Sequence, residues 1–298
     1  MVTGAFSFTG RYIAARLLEL GREVRTLTRH PQSESPFGAR VAAFPLDFEA
    51  PEDLAASLRG VDTVYNTYWI RSPHAELTFE RALANTAVLL RAAREAGVRR
   101  VVQLSVSNAS TSSRLPYFRA KAVAEEGLAA SGLSYAIVRP TLVFAREDVL
   151  VNNIAWLLRR LPLFVIPGSG GYTLQPVAAE DVAELSVAAG AGEDRIVIDA
   201  AGPDVFSFDD FVRLIRKTIG SHAAVMHARP RIALALSAMV GSVMRDRLVT
   251  RAELAGLMQG LLTSRGEPTG TRRFPDWLRE NADSVGRRYV SERIRNWS

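Results

Sequence analysis

Tyr117 and Lys121 stand four residues apart in PYFRAKAVAEEG, a stretch with helical character. On a helix that spacing sets both side chains on one face, about 5–6 Å apart. An unperturbed phenol titrates at about 10. A neighbouring ammonium favours the phenolate, so the pair can exchange a proton with a carbonyl or an alcohol while a hydride moves. Bringing the phenol to neutrality takes about 4 kcal/mol of differential stabilisation, which Lys121 and an oxidised nicotinamide would share. Just upstream, VVQLSVSNAS ends an apolar run in serines. Ser107 is the first candidate to orient the reacting oxygen and Ser105 the second. The Tyr-x-x-x-Lys spacing recurs by chance in helices; its weight here comes from its place behind a strand that ends in serines.

Such chemistry needs a hydride carrier, and the opening MVTGAFSFTGRYIAARLLELG points to one. Thr3, Gly4 and Gly10 fit a TGxxGxxG loop, with Ser7 in the place of the middle glycine. In that loop the glycines allow a tight turn and close backbone approach, and the helix behind it, from about Phe8 and Thr9, offers free N–H groups to a pyrophosphate. Serine is small and has a hydroxyl to give a phosphate; it also adds bulk where the backbone should be bare. The second apolar run ends TLTRHP, without the acidic residue that grips a ribose 2′-hydroxyl. Arg29 stands there with His30 after it. A guanidinium forks onto a phosphate, which favours NADP(H), with NAD(H) still admitted. Asp47 and Phe48, after the third run, suit an adenine amino contact and an apolar lid, or simply a turn. Only Met1 and Val2 precede Thr3, against the roughly five or six residues usual in a strand. Either the chain starts upstream or the central strand is clipped.

The elements that must position these residues alternate. Apolar runs at 24–28, 41–46, 61–65, 100–104 and 135–138 are separated by helical patterns at 10–20, 51–59, 75–96 and 117–131. Strand–helix alternation predicts an α/β fold with a doubly wound parallel sheet. Gly21, Gly60, Gly97 and Gly132 each follow a helix and precede a strand, where a left-handed cap is wanted. Past Pro140 the pattern loosens: a helix at 149–161, a Gly/Pro-rich loop at 163–176, a helix at 179–189, the strand IVIDA at 196–200, a helix at 207–220 capped by serine, and a largely helical tail from 229. The expected organisation is a dinucleotide-binding core over 1–145, with 175–200 returning to it, and a smaller, mostly helical substrate lobe over 146–174 and 201–298.

Composition narrows the classes. The chain has 298 residues, a net charge of +6 and no cysteine, which excludes disulfides, thiolate metal sites and a cysteine nucleophile. His30, His74, His222 and His227 do not pair at metal-ligand spacing, so no metal site is expected. No leader is visible, and a cytoplasmic protein is the reading. The basic excess is arginine spread along the whole chain, thirty-five against two lysines. With no recognition helix or aromatic-interleaved basic strip, nucleic acid is disfavoured as a partner. IALALSAMVGSVM (232–244) is the most apolar stretch and too short to span a bilayer, which takes about 20 residues. A buried lobe helix is the preferred reading; Arg229, Arg231, Arg245 and Arg247 flank it and leave peripheral membrane contact open. Phe144, Trp156, Tyr172 and Phe206 read as ordinary core first and as pocket lining second, and Tyr68-Trp69-Ile70-Arg71 reads equally as packing or as pocket. A monomer and a homodimer both fit.

These stretches resemble the short-chain dehydrogenase/reductase superfamily, on its extended and atypical side. The matches are TGAFSFTGRYIA, TLTRHP, LDF, QLSVSNAS, YFRAKAVAEEGLAASGLSYAIVRPTLVF and LQPVAAEDVAEL, over about residues 1–200 and in family order. Arg139-Pro140 and Gln175-Pro176-Val177 resemble NmrA-like proteins and the nucleotide-binding accessory subunit of respiratory complex I. The resemblance implies a Rossmann core, an NAD(P) ligand, Ser107, Tyr117 and Lys121 as catalytic residues, and Asn66 and Pro140 beside the cofactor. Ser7, and an interval of only ten residues from Ser107 to Tyr117, depart from the family pattern. The expected function is an NAD(P)-dependent oxidoreductase or epimerase acting on a small carbonyl or alcohol. The alternative is a non-catalytic NADP(H)-binding regulatory or assembly protein, since atypical members often bind the cofactor without known turnover.

Overall fold

The computed structural model describes residues 1–71, 73, 77–244 and 250–291. His74, Arg245, Arg247 and the first two residues of the helix expected at 75–96 lie outside the described residues. In chain order the first elements are β1 (Val2–Thr3), α1 (Phe8–Glu19), β2 (Val24–Thr28), β3 (Val41–Pro45), α2 (Pro51–Leu58) and β4 (Thr63–Asn66). Next come α3 (Phe79–Glu95), β5 (Arg100–Leu104), α4 (Pro116–Ala130), β6 (Ser134–Pro140), β7 (Leu142–Phe144), α5 (Val149–Arg160) and β8 (Leu163–Pro167). Then β9 (Thr173–Leu174), β10 (Pro176–Ala178), α6 (Ala179–Ala191), β11 (Ile196–Ala200) and β12 (Phe206–Ser207) follow. The chain continues through α7 (Phe208–Thr218), β13 (Ala224–Ala228), α8 (Pro230–Met244), α9 (Arg251–Met258) and α10 (Phe274–Glu280). Two compact units result: Met1–Pro140 with Ala179–Ala200, and Thr141–Ala178 with the chain from Ala201 on.

The first unit is a seven-stranded sheet in the order β11-β6-β5-β4-β1-β2-β3, and every neighbouring pair runs parallel. Helices α1 and α6 pack together, and α3 packs against both α2 and α4. This is the doubly wound Rossmann arrangement. Strand order reverses between β1 and β4, and ligands of such sheets lie outside the strand C-termini at that point. Gly21, Gly60, Gly97 and Gly132 have φ of 68°, 72°, 74° and 81°, the left-handed caps that the sequence spacing predicts.

Strand β1 is indeed only two residues, yet it keeps both neighbours: Val2 pairs with Thr26 and with Tyr65, and Thr3 with Leu27. A side chain extends the ladder. Thr26 Oγ1 donates to Val2 O at 2.9 Å and accepts from Ala5 N at 2.9 Å. Short as it is, the strand has no unmatched edge at Val2.

At the other end of the sheet lies an arginine with no exposed surface. Arg100, at the start of β5, donates to Ala189 O (2.8 Å), Ser134 Oγ (2.7 Å) and Asp194 O (2.7 Å). It thereby joins β5 and β6 to the end of α6 and the turn into β11. A planar guanidinium with five donors suits this three-way junction; an ammonium on a flexible stem does not.

The second unit holds three short strand pairs, β7–β10 and β8–β13 parallel and β9–β12 antiparallel. Leu163–Pro167 is a strand, where the Gly/Pro-rich composition suggests a loop. Its partner β13 lies some sixty residues downstream, so no local signal marks it. Phe144, Phe211 and Phe274 are buried at the centre of this unit, with Phe211 and Phe274 stacked at 4.7 Å. Tyr172 and Phe206 pack on the same cluster. Trp156 lies edge-on to Tyr289 and under the Arg160 guanidinium.

Replacing Arg100 by methionine removes the donor from three acceptors while keeping the stem. Chemical denaturation should show a loss of about 3 kcal/mol. A loss below about 1 kcal/mol would contradict the junction role.

Candidate functional site

The loop from Gly4 to Gly10 is set by backbone contact. Gly4 has φ +65°, and a Cβ on Gly10 would lie 2.1 Å from Gly4 O. Helix α1 therefore starts against the end of β1 with no room for a side chain between them. Ser7 sits at φ −85°, ψ 175°, an extended conformation open to any residue. Its hydroxyl folds back to donate to Gly4 O at 2.6 Å, and its own N–H reaches the same oxygen at 2.9 Å. Serine in the glycine place thus fits without torsional strain, and it braces the turn. No side chain caps α1 and its first turn holds no acid, so no carboxylate of that turn offsets the positive end of the helix dipole. Phe8 and Thr9 form that first turn, with Phe8 edge-on to Tyr12.

Behind the loop a chain of buried polar groups ties three strand ends. Thr3 Oγ1 donates to Asn66 Oδ1 at 3.1 Å, and Asn66 Nδ2 donates to Gln103 Oε1 at 2.7 Å. Thr3 Oγ1 also accepts from Thr67 N and Tyr68 N, at 2.7 and 3.0 Å. The Asn66 side chain has no exposed surface and is engaged inside this chain. It fixes the course of the backbone after β4.

Arg29 and His30 are exposed at the end of β2, and the Arg29 charge is felt by the Tyr68 phenol. The His30 N–H donates to Thr28 Oγ1 at 3.2 Å. Asp47 is exposed and accepts from Glu49 N at 2.9 Å, closing a local turn. Phe48 leans on Tyr68, 4.9 Å between ring centres, and Tyr68 Oη accepts from Asn85 Nδ2 at 2.8 Å. Pro140 is buried at the end of β6, and its carbonyl accepts from Ser107 N at 2.9 Å.

Tyr117 and Lys121 lie on α4, one turn apart. Lys121 is only 4 % exposed. Its Nζ donates to Leu104 O, the last carbonyl of β5, at 2.8 Å, and stands 4.5 Å from the centre of the Trp69 ring. Burial lowers its pKa from 10.5 to about 7, against the pull of Glu125 in the other direction. Burial thus disfavours the ammonium that the sequence presents as a standing positive charge. Trp69 stacks on Phe79, and Phe79 meets Tyr117 edge-on at 6.1 Å. The Trp69 Nε1–H is buried beside this cluster and has no acceptor among the described residues.

Glu125, which the sequence analysis does not single out, and Arg139, which it names only for the resemblance, complete the site. Glu125, one further turn along α4, accepts from the Ser105 hydroxyl and from Arg139, whose Nε reaches Oε1 at 3.0 Å and whose Nη2 reaches Oε2 at 2.5 Å. Ser105 is thus engaged with a carboxylate. Continuing the Tyr117–Lys121 spacing by one turn points to Glu125, and the apolar context of Arg139 calls for a buried partner.

Residues 4–151 match the family model described as NAD(P)H-binding. The chain carries an NAD(P)H-binding domain. The parallel seven-stranded sheet is the Rossmann core that the resemblance to the extended, atypical short-chain dehydrogenases/reductases implies. The Arabidopsis thaliana mitochondrial protein "NADH dehydrogenase [ubiquinone] 1 alpha subcomplex subunit 9" is 27% identical over 225 residues, 72% of this chain and 56% of that protein. The photosystem II assembly factor Ycf39 of Cyanidium caldarium is 26% identical over 190 residues, 63% of this chain and 60% of that protein. The chain thus spans little more than half the length of these relatives. Among solved structures, an NADPH-dependent quinone oxidoreductase from Escherichia coli, complexed with NADPH, superposes with a TM-score of 0.74 at 20% identity, covering 95% of this chain and 98% of the other. Among the described residues no helix is long and apolar enough to cross a membrane, and no acidic or histidine cluster could hold a metal ion.

The Lys121 amine in the NAD(P)H-binding domain carries a measurable signature. The unfolded chain binds this proton up to about the ordinary lysine value and the folded chain only up to about 7. The site's contribution to stability is lowest below about 7 and rises with pH across that window. Lys121→Met should raise the unfolding temperature more at about pH 6 than at about pH 9. A gap that does not narrow with pH would contradict the buried amine.

Proposed function

We propose that this chain is an NADPH-dependent oxidoreductase acting on a small, largely apolar carbonyl or alcohol. The observation that carries the reading is the place of the Lys121 Nζ. It is anchored on the last carbonyl of β5, one helical turn from Tyr117 and directly ahead of Ser105 and Ser107. The residues fit the dinucleotide. The side-chain-free contact between Gly4 and Gly10 and the uncapped α1 suit a pyrophosphate, with Thr3, Ser7, Phe8 and Thr9 around it. Arg29, with His30, suits a 2′-phosphate, and Asp47 and Phe48 border the adenine side. The orphaned Trp69 N–H beside Lys121 suits an acceptor on a bound molecule.

The cofactor would supply the hydride. Tyr117 gives its phenolic proton to the carbonyl oxygen, or takes one from an alcohol in the reverse direction. Lys121, protonated when an anionic ligand or a phenolate lies near, steadies the deprotonated phenol. Ser107 donates to the same oxygen and orients it; Ser105 is held by Glu125 and is the weaker candidate for this role. Trp69, Phe79 and Tyr117 form an apolar aromatic wall that favours an uncharged substrate.

A second reading is a non-catalytic NADP(H)-binding assembly or regulatory protein. The similarity to a photosystem II assembly factor favours it, as does burial that disfavours the Lys121 ammonium where a fixed charge is wanted.

Tyr117→Phe separates the two. Stopped-flow or steady-state oxidation of NADPH with a panel of quinones and small carbonyls should fall by at least about a hundredfold, with NADPH affinity unchanged. Equal turnover in the variant would remove the proton-transfer role, and NADPH binding without turnover on any substrate would favour the second reading. Arg29→Ala should weaken NADPH binding by about tenfold and leave NADH binding alone. An unchanged ratio of the two affinities would remove Arg29 from the 2′-phosphate.

A further inference from the structure

Helix α8 has a single charged residue, Arg231, and is otherwise apolar or small over Pro230–Met244. A helix of that kind is ordinarily enclosed on all sides, and the sequence reading enclosed this one. Instead Ile232 is 51% and Leu236 39% exposed. Four residues apart, these two share a face with the exposed Ala235, while Ala233 is turned inward. The helix packs along β8. The β8–β13 ribbon turns Phe164, Ile166 and Val225 to the core of the second unit. Its other face carries Leu163 and Met226, 38% and 57% exposed. Exposed apolar side chains thus come from three adjacent elements, where scattered single ones would need no explanation.

The charged side chains described at the start of α8 have one sign; the nearest described acid, Asp209, is held by Arg213 and by His227 of β13. Arg229 and Arg231 are exposed at the N-terminal end of α8, where the helix dipole would favour acids. Two copies of such a face would bring arginine against arginine. An apolar strip with two exposed arginines at one end is complementary to an anionic lipid surface, whose phosphates meet the guanidinium groups and whose acyl boundary takes the aliphatic side chains.

We propose that the face built by α8 and the β8–β13 ribbon of the second unit docks on an anionic lipid bilayer. Ile232 and Leu236 enter the acyl boundary, and Arg229 and Arg231 lie at the headgroup phosphates. The chain lies on the membrane and does not span it. This inference stands apart from the catalytic reading.

Vesicle flotation with the full chain tests it, using phosphatidylcholine vesicles with and without phosphatidylglycerol. Binding should require phosphatidylglycerol and weaken as salt rises. It should fall by about tenfold or more in Ile232→Asp/Leu236→Asp and also in Arg229→Glu/Arg231→Glu. NADPH affinity and unfolding temperature, unchanged in both variants, show that the chain is folded. Absence of vesicle binding, equal binding to neutral vesicles, or binding that survives either variant would overturn the proposal. So would self-association in sedimentation that Ile232→Asp/Leu236→Asp abolishes in the absence of vesicle binding, which would assign the face to a second copy.

Discussion

The contact between Gly10 and the Gly4 carbonyl is the constraint on which the rest of the NAD(P)H-binding domain depends. A single methyl group at position 10 would overlap that oxygen. Its absence lets α1 begin against the end of β1, and this closeness aims the amides of the first turn across the strand ends. It also explains how a two-residue strand can hold the centre of a seven-stranded sheet. What β1 lacks in length is made up by Thr26, which extends the ladder through its side chain, and by Thr3, which binds Asn66 and, through it, Gln103. Rigidity at the loop comes from side chains of the neighbouring strands.

A second tension sits two strands over, at the end of β5. Burying an amine disfavours its charge, and the chemistry proposed for α4 needs that charge when a phenolate forms. The structure places opposing influences around Lys121: the carbonyl of Leu104 and the Trp69 ring favour the ammonium, while exclusion of water disfavours it. Glu125 favours it too, although its carboxylate is already held by Arg139 and Ser105. The balance leaves the amine responsive to whatever charge arrives beside it. Such responsiveness suits a group whose protonation should follow the reaction.

Much of this was legible in the residues. The glycine caps, the strand–helix alternation, the Gly4–Gly10 loop and the Tyr117–Lys121 spacing depend on local geometry, and local geometry is written in short stretches. Ser7 illustrates the limit: its type raised a question that only its torsion angles and its bond to Gly4 O resolve. Glu125, Arg139 and Arg100 were hidden because their meaning lies in partners from other elements. The same holds for β8, whose partner strand lies far downstream, and for α8, whose composition spoke for burial while its packing leaves Ile232 and Leu236 in solvent. Periodicity reports which face of an element is apolar; it does not report whether anything covers that face.

The central claim is that the amides at the start of α1 receive a dinucleotide pyrophosphate with Ser7 in the turn. Calorimetric titration of the folded full chain with NADPH and with NADH tests it most directly. The account predicts one site per chain for NADPH in the micromolar range and weaker binding of NADH. Absence of binding by both dinucleotides at millimolar concentration would contradict it.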